Sequence, residues 1–211
     1  MPRKVLQEFM GYESLSPIEQ FAVVGYNRRL YQGLSIEKNQ IVVVLGGYLG
    51  TSISEWRRKF DCQVVSFEPI PEYAEKLRFD FTEDQNVLIE EFAVGAYEGT
   101  LDLGIEGEAT GRFSKSLEKL RVSSKDISEV IREYRDRIKV LEMNIEGGEY
   151  ENLERLIQAD LISAVPTFLI QFHRYSLHDE LRRAQIRIEL EKTHSCVFEF
   201  PWVWERWDLK P

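Results

Sequence analysis

Apolar residues come in two rhythms along this chain, and the rhythms alternate. Ile41 to Leu45 ("IVVVL") is an unbroken apolar run, as expected of a strand buried on both faces of a parallel sheet. From Thr51 the spacing becomes helical, with Ile53, Trp56 and Phe60 on one face. "CQVVSFEP" reads as a second buried strand, and Pro69 and Pro71 end it before the helical "EYAEKLRFDF", where Tyr73, Leu77 and Phe81 align. "NVLIEEFAVG" reads as a third strand and "TLDLGIE" as a short alternating edge strand. "SKDISEVIREYRDR" reads as a helix capped near Ser124 or Asp126. "IKVLEMN" then predicts the fourth core strand, "EYENLERLIQADLI" its helix, and "PTFLIQFH" the fifth strand. "LHDELRRAQIRIELEKTH" predicts a helix with Leu181, Ala184 and Ile188 on its core face. "CVFEFPWVWERW" is strand-like, and alternation through it puts Trp202 and Trp204 on one face and Val203 on the other.

Ahead of this series, "SPIEQFAVVGYNRRLYQGLS" predicts a helix with Ser16 as cap, Pro17 in its first turn, Glu19 closing a capping box and Gly33 as the stop. Ile18, Phe21, Ala22 and Tyr26 fall near one face. Residues 1–35 are therefore expected to be a helical extension, a lid or a prop, on a single domain spanning 36–211. Alternating strands and helices predict an α/β fold with a doubly wound parallel sheet. Such sheets bind ligands outside the carboxyl ends of their strands.

Three strand ends supply chemistry at that edge. "LGGYLG", Leu45 to Gly50, lets a ligand approach the backbone, and the helix behind it adds free N–H donors. Tyr48 stands where a dinucleotide-binding G-x-G-x-x-G loop needs its second glycine. Glu68, at the end of the second strand, is placed to accept two hydrogen bonds from a ribose diol. "LEMNIEGGEY" follows the fourth strand. Asn144 sits at the strand end and Glu146 before a sharp glycine exit, while Glu149 and Glu151 fall in a first helical turn that favours negative charge.

Together "VVVLGGYLG", "SFEP", "EEFAVG", "EGTLDL" and "VLEMNIEGGEYENLERL" resemble the FkbM-type S-adenosylmethionine-dependent methyltransferases from about Gln40 to Ile157. The resemblance implies a Rossmann-like methyltransferase fold. Its sheet would be doubly wound, mostly parallel and seven-stranded, with one antiparallel strand. It also implies S-adenosyl-L-methionine as cofactor and, often, sugar O-methylation. By the same resemblance Gly46, Gly47, Tyr48, Gly50, Glu68, Pro69, Phe92, Ala93 and Asn144 are the expected cofactor-binding residues. Glu68 would hold the ribose, the Phe92–Ala93 turn would border the adenine, and Asn144 would lie near the transferred methyl. Asn144 would position the reactants, Glu146 would contact the acceptor or a backbone amide, and Glu149 would order the helix start. The chain departs from the family at Val44 and Asn144, both usually aspartate, and at Tyr48, usually asparagine. The two lost acids keep open a non-catalytic S-adenosylmethionine-binding module. A nicotinamide-dependent oxidoreductase shares the glycine loop and the acid, and Tyr48 argues against it.

Removal of the acceptor's proton calls for a base. His173 ends the fifth strand beside Asn144 and is the first candidate, with Glu146 next. His178 and His194 flank a helix and are expected on the surface. Trp202, Trp204 and Trp207 suit either stacking on a ligand or plain packing, and packing is favoured. Arg112, Lys115 and Arg174 are candidates for an anionic acceptor.

Composition changes this little. At 211 residues the chain can bury a full core, and its 43% hydrophobic and 30% charged content is ordinary. The net charge of −9 argues against nucleic acid and against an anionic membrane surface. Cys62 and Cys196 have no paired spacing, so two reduced, packed thiols are expected, with no metal site. No run spans a membrane and the start lacks a signal-peptide pattern, so a cytoplasmic location is expected. The expected partner is a small-molecule or glycan acceptor, with a homodimer left open.

Overall fold

The structure, a computed structural model, describes residues 15–23, 27–104, 116 and 119–211. Its ten strands are β1 Ile41–Leu45, β2 Gln63–Phe67, β3 Val87–Glu90, β4 Ala93–Gly95, β5 Gly99–Gly104, β6 Lys119–Asp126, β7 Ile138–Met143, β8 Thr167–Ile170, β9 His194–Phe200 and β10 Trp204–Leu209. Its helices are α1 Pro17–Val23, α2 Asn27–Leu30, α3 Thr51–Lys59, α4 Pro71–Asp80, α5 Ile127–Tyr134, α6 Glu149–Gln158 and α7 Leu177–Leu190. Seven strands form one sheet in the order β3-β2-β1-β7-β8-β10-β9, parallel except for β10, which runs antiparallel to both neighbours. This is the doubly wound, mostly parallel architecture that the alternating rhythm predicts.

The apolar run of β1 feeds two cores at once. Ile41, Val43 and Leu45 point into a cluster with α5, α6 and α7. Val42 and Val44 point the other way, into a cluster with Leu30, Ile53, Trp56 and Leu77 from α2, α3 and α4. Because side chains alternate along a strand, a sheet covered on both faces needs apolar residues at every position. One acid interrupts this pattern. Glu142 of β7, register partner of Val44, is buried and accepts hydrogen bonds from Ser52 Oγ and, at 2.5 Å, from Trp56 Nε1. Burial raises its pKa, and its two partners tie the start of α3 to the sheet.

The segment read as a third strand divides. β3 pairs with β2 in the large sheet, while β4 pairs with β6 in a separate sheet of order β4-β6-β5. The chain turns at Glu91–Phe92 to change sheets. β6, "KLRVSSKD", was not expected at all: only Val122, Ser124 and Asp126 of its eight residues are buried, so its apolar signal is faint. β5 is an edge strand as expected, and Asp126 caps α5 by accepting from Ser128 N at 2.7 Å.

Two other expectations are corrected. Leu181, Ala184 and Ile188 of α7 face solvent, and Ile186 and Leu190 are its buried residues. The sheet side of α7 also carries Arg183 and Arg187, which pair with Glu199 and Glu205, so its inner face reads as polar. Strand alternation does not run through Trp202, which has φ 61° in the turn between β9 and β10. Trp207 is fully buried, Trp204 packs on the second core, and Arg183 lies 4.8 Å above the Trp202 ring, so packing accounts for all three.

The N-terminal capping box forms, with Glu19 Oε2 accepting from Ser16 N at 2.7 Å and Gly33 in the left-handed region at φ 76°. Phe21 is buried against Phe198 and Phe200, whereas Ile18 and Ala22 are exposed; Tyr26 lies outside the described residues. No helix among the described residues is long and apolar enough to cross a membrane. Cys62 and Cys196 are both free thiols.

Candidate functional site at the carboxyl edge of the sheet

One row of residues continues the sheet ladder beyond its strands. Glu68 N donates to Glu90 O at 3.0 Å, Gly46 N to Phe67 O at 3.0 Å, Asn144 N to Leu45 O at 3.2 Å and Gln171 N to Met143 O at 2.9 Å. All four residues line a cleft of about 380 Å³ at this edge. Across from them the small sheet and α4 supply an apolar wall that includes Tyr73, Phe92, Leu101 and Leu103. Of the residues expected at the cofactor, Gly46, Tyr48, Glu68, Pro69, Phe92, Ala93 and Asn144 line the cleft. Gly47 and Gly50 point inward instead. A Cβ on Gly47 would meet Ser66 Oγ at 2.6 Å, and one on Gly50 would meet Leu77 and Phe81 at 2.9 Å, so they let the loop pack down on α4.

Gly46 is needed for a different reason. Its φ is 89°, and a Cβ there would lie 2.3 Å from Asn144 O. The two loops at the centre of the edge touch backbone to backbone, which only glycine permits.

Glu68 is 4% exposed. Its Oε2 accepts from Tyr48 N at 2.8 Å and its Oε1 from Ile70 N at 2.9 Å. Burial pushes its pKa up and the two amides pull it back. Each oxygen keeps a further lone pair for a hydroxyl donor in the cleft. The Tyr48 amide is aimed at the acid by a left-handed backbone, φ 43°, and the Tyr48 ring packs edge-on against Tyr73, centroids 4.9 Å apart.

The stretch Asn144–Glu149 is organised by a buried acid. Glu149 is 0% exposed and accepts from Ile145 N at 2.8 Å and Gly147 N at 2.9 Å. It thus orders the helix start by closing the loop on itself. His173 Nδ1 lies 2.9 Å from Glu149 Oε1, and His173 Nε2 lies 3.1 Å from Glu146 Oε1. Burial of His173 favours its neutral form, but bonds to Glu146 and Glu149 outweigh burial and raise its pKa to about 10. The raised pKa favours the imidazolium form, which can donate from both nitrogens. Glu146 has φ 51°, and Tyr175 Oη donates to its other oxygen at 2.7 Å. Burial opposes ionisation of Glu146, yet His173 and Tyr175 hold its pKa below the ordinary carboxylate value. A non-glycine residue in the left-handed region costs about 1–2 kcal/mol. The bonds to His173 and Tyr175 hold it there and leave Glu146 lining the cleft.

Of the three residues expected to be catalytic, Asn144 and Glu146 line the cleft, and His173 lies behind Glu146, its Nε2 against Glu146 Oε1. The sequence reading missed Tyr175 and Gln171, which follow β8 in irregular chain without a periodic signal. His194 is corrected: it is fully buried, its Nε2 2.9 Å from Val165 O, and burial lowers its pKa. His178 is exposed as expected. Arg174 pairs with Glu180 at 2.6 Å, and Arg112 and Lys115 lie outside the described residues.

The profile of the methyltransferase FkbM domain matches residues 45–200. No curated protein matches the sequence. In structure the chain is similar to a putative rRNA methylase from Clostridium thermocellum at 8% identity, covering 89% of this chain and 96% of that one with a TM-score of 0.56. It is also similar to an rRNA methylase from Streptococcus thermophilus at 10% identity, covering 93% and 98% with a TM-score of 0.51. At these identities the two structures speak for the fold.

Proposed function

We propose that this chain, which belongs to the FkbM family of S-adenosylmethionine-dependent methyltransferases, methylates a sugar hydroxyl of a glycan or of a glycosylated small molecule. The residues present fit the family's cofactor. Glu68 is a buried carboxylate with both oxygens braced and open toward the cleft, as a ribose diol requires. Gly46 brings bare backbone to the point where a side chain would block the edge. Tyr73, Phe92, Leu101 and Leu103 give an apolar wall suited to a flat base. When bound, S-adenosylmethionine supplies an electrophilic methyl group on its sulfonium.

The observation that carries the hydroxyl reading is Glu146. Its carboxylate lines the cleft and is held by His173 and Tyr175. Such a group accepts a hydrogen bond from an acceptor hydroxyl, points its oxygen at the methyl donor and takes the proton as the oxygen loses electron density. A depressed pKa does not disqualify it, because a hydroxyl oxygen that has begun to share its lone pair is far more acidic than a carboxylic acid. His173 has both ring nitrogens engaged by carboxylates, Nε2 with Glu146 and Nδ1 with Glu149, and its pKa is raised, so its part in this reading is to fix Glu146. Asn144, Glu151 and Gln171 complete a hydrogen-bonding floor suited to an uncharged polyol.

The test is transfer of labelled methyl from S-adenosylmethionine to a panel of neutral glycans and glycosides. Glu146→Gln is expected to lower kcat by about 10²–10⁴-fold with the cofactor's Kd unchanged. Equal turnover in the variant would remove Glu146 from the chemistry. Cofactor binding without turnover on any acceptor would favour the binding-module reading.

A further inference from the structure

One residue of the N-terminal extension reaches the cleft. Ile18 of α1 lines it together with Asn144, Glu146 and Gln171, and no other described residue before Leu45 does so. The helix that carries Ile18 is anchored at the far side of the large sheet. Phe21, three residues on and therefore on the same face of α1, is buried, its ring edge-on to Phe200 at 5.6 Å and to Phe198 at 6.2 Å between centroids. Both rings belong to β9, the outermost strand, which stands two places from β8 with β10 between them. Two strand spacings are about 9.5 Å, and one helical turn of about 5 Å plus the reach of two side chains covers that gap. Ile18 thus enters the cleft from the β8 side, where Gln171 continues β8 and Glu146 follows β7. Glu68 follows β2, three places from β8 in the opposite direction.

We propose, resting on the methyl-transfer reading, that Ile18 is a specificity-determining residue for the acceptor. In this assignment α1 roofs the acceptor end of the cleft, and Ile18 packs on the C–H face of the sugar ring whose hydroxyl meets Glu146. A pyranose presents hydroxyls around its rim and C–H groups on its faces. Asn144, Glu146 and Gln171 answer the rim with hydrogen-bonding groups. Ile18 answers a face with an apolar contact, brought by an element outside the strand-and-helix series that builds the rest of the cleft. The side chain is 49% exposed, so apolar surface remains for a ring to cover. The roof is held in shape as well as in place: Gln20 Nε2 donates to Leu15 O at 2.9 Å, Glu19 closes the capping box, and Phe21 seats the helix on β9. An acceptor with a bulky group above that face would meet Ile18 before its hydroxyl reached Glu146.

Methyl transfer from S-adenosylmethionine to a series of neutral glycosides of increasing bulk tests this, with Ile18→Ala, Ile18→Trp and, on the same helix, Val23→Trp. Val23 is exposed and does not line the cleft. Ile18→Trp is expected to raise the acceptor KM about tenfold or more, with kcat and the cofactor's Kd close to wild type. Ile18→Ala is expected to shift preference the other way, raising kcat/KM for the bulkiest glycosides relative to the smallest by about tenfold. Val23→Trp should match wild type. Opposite shifts from one position mark selection by shape, whereas a merely structural role would lower every acceptor alike. Ile18 variants with the wild-type acceptor profile overturn the inference, as do equal losses on all acceptors or a Val23→Trp variant altered as much as Ile18→Trp. A cofactor Kd raised about tenfold by Ile18→Trp also overturns it, by placing Ile18 over the cofactor. A wild type that binds cofactor and methylates no glycoside strikes the methyl-transfer reading and this assignment together; an active wild type with unaltered variants strikes this assignment alone.

Discussion

Glu68→Ala is expected to weaken S-adenosylmethionine binding by about 10²–10⁴-fold. The carboxylate would accept two charge-assisted hydrogen bonds from the ribose, each worth about 1.5–3 kcal/mol, and about 1.4 kcal/mol corresponds to a tenfold change. The acid also braces its own surroundings through Tyr48 N and Ile70 N, so the variant is expected to lose some stability. Glu68→Gln separates the two effects. An amide keeps one acceptor oxygen and similar volume, and should fall between wild type and alanine in affinity. Calorimetric titration of the cofactor, with thermal melts of each variant, provides both readouts. An unchanged Kd in a folded Glu68→Ala variant would show that the ribose lies elsewhere.

Glu149→Ala should produce the largest loss of stability, about 3–5 kcal/mol, the cost of leaving a buried ionic partner uncompensated. Ile145 N and Gly147 N would lose their acceptor, and the His173 imidazolium would keep one of its two carboxylates. For a domain of this size that is a fall in Tm of about 6–20 °C. The same cluster gives a pH signature. The pKa of His173 is raised in the folded chain to about 10 from the ordinary value of 6.5. Its contribution is therefore fully present below about pH 6.5 and is lost as pH rises through about 10. Glu146 has a lowered pKa, so its contribution is present above the ordinary carboxylate range and is lost in acid. Denaturant melts from pH 6 to pH 10 should show wild type losing stability and His173→Gln staying flatter. A flat wild-type profile would mean that His173 is neutral in the folded chain.

The strands that build the large sheet were legible because burial on both faces favours mostly apolar runs: β1 is apolar throughout, and β2, β7 and β8 are apolar with few interruptions. The glycine loop, Glu68 and Asn144 were legible because they stand at the ends of those runs. The small sheet was not. β6 alternates serine, lysine and arginine with few apolar residues, since one of its faces is solvated. α7 misled for a physical reason: its most regular apolar stripe faces outward, and its inner face is built from arginines paired with Glu199 and Glu205. The role of Glu149 was only half legible. A first-turn acid suits the helix dipole wherever it stands, and nothing local announces that its partners are Ile145, Gly147 and a histidine 24 residues later.

The position of β10 sets the order in which the sheet can be completed. It is the last of the ten strands among the described residues, yet it lies inside the sheet, between β8 and β9. Until it is in place, β8 presents a bare edge and β9 has no sheet to join. A chain emerging from the ribosome can assemble β1 to β8 with their helices, but must hold that edge open while nearly forty residues follow. Fully buried Trp207 then arrives to fill the first core. Refolding should accordingly show a late step that reports on Trp207 fluorescence, and the species before it, with one sticky edge, is the one most exposed to aggregation.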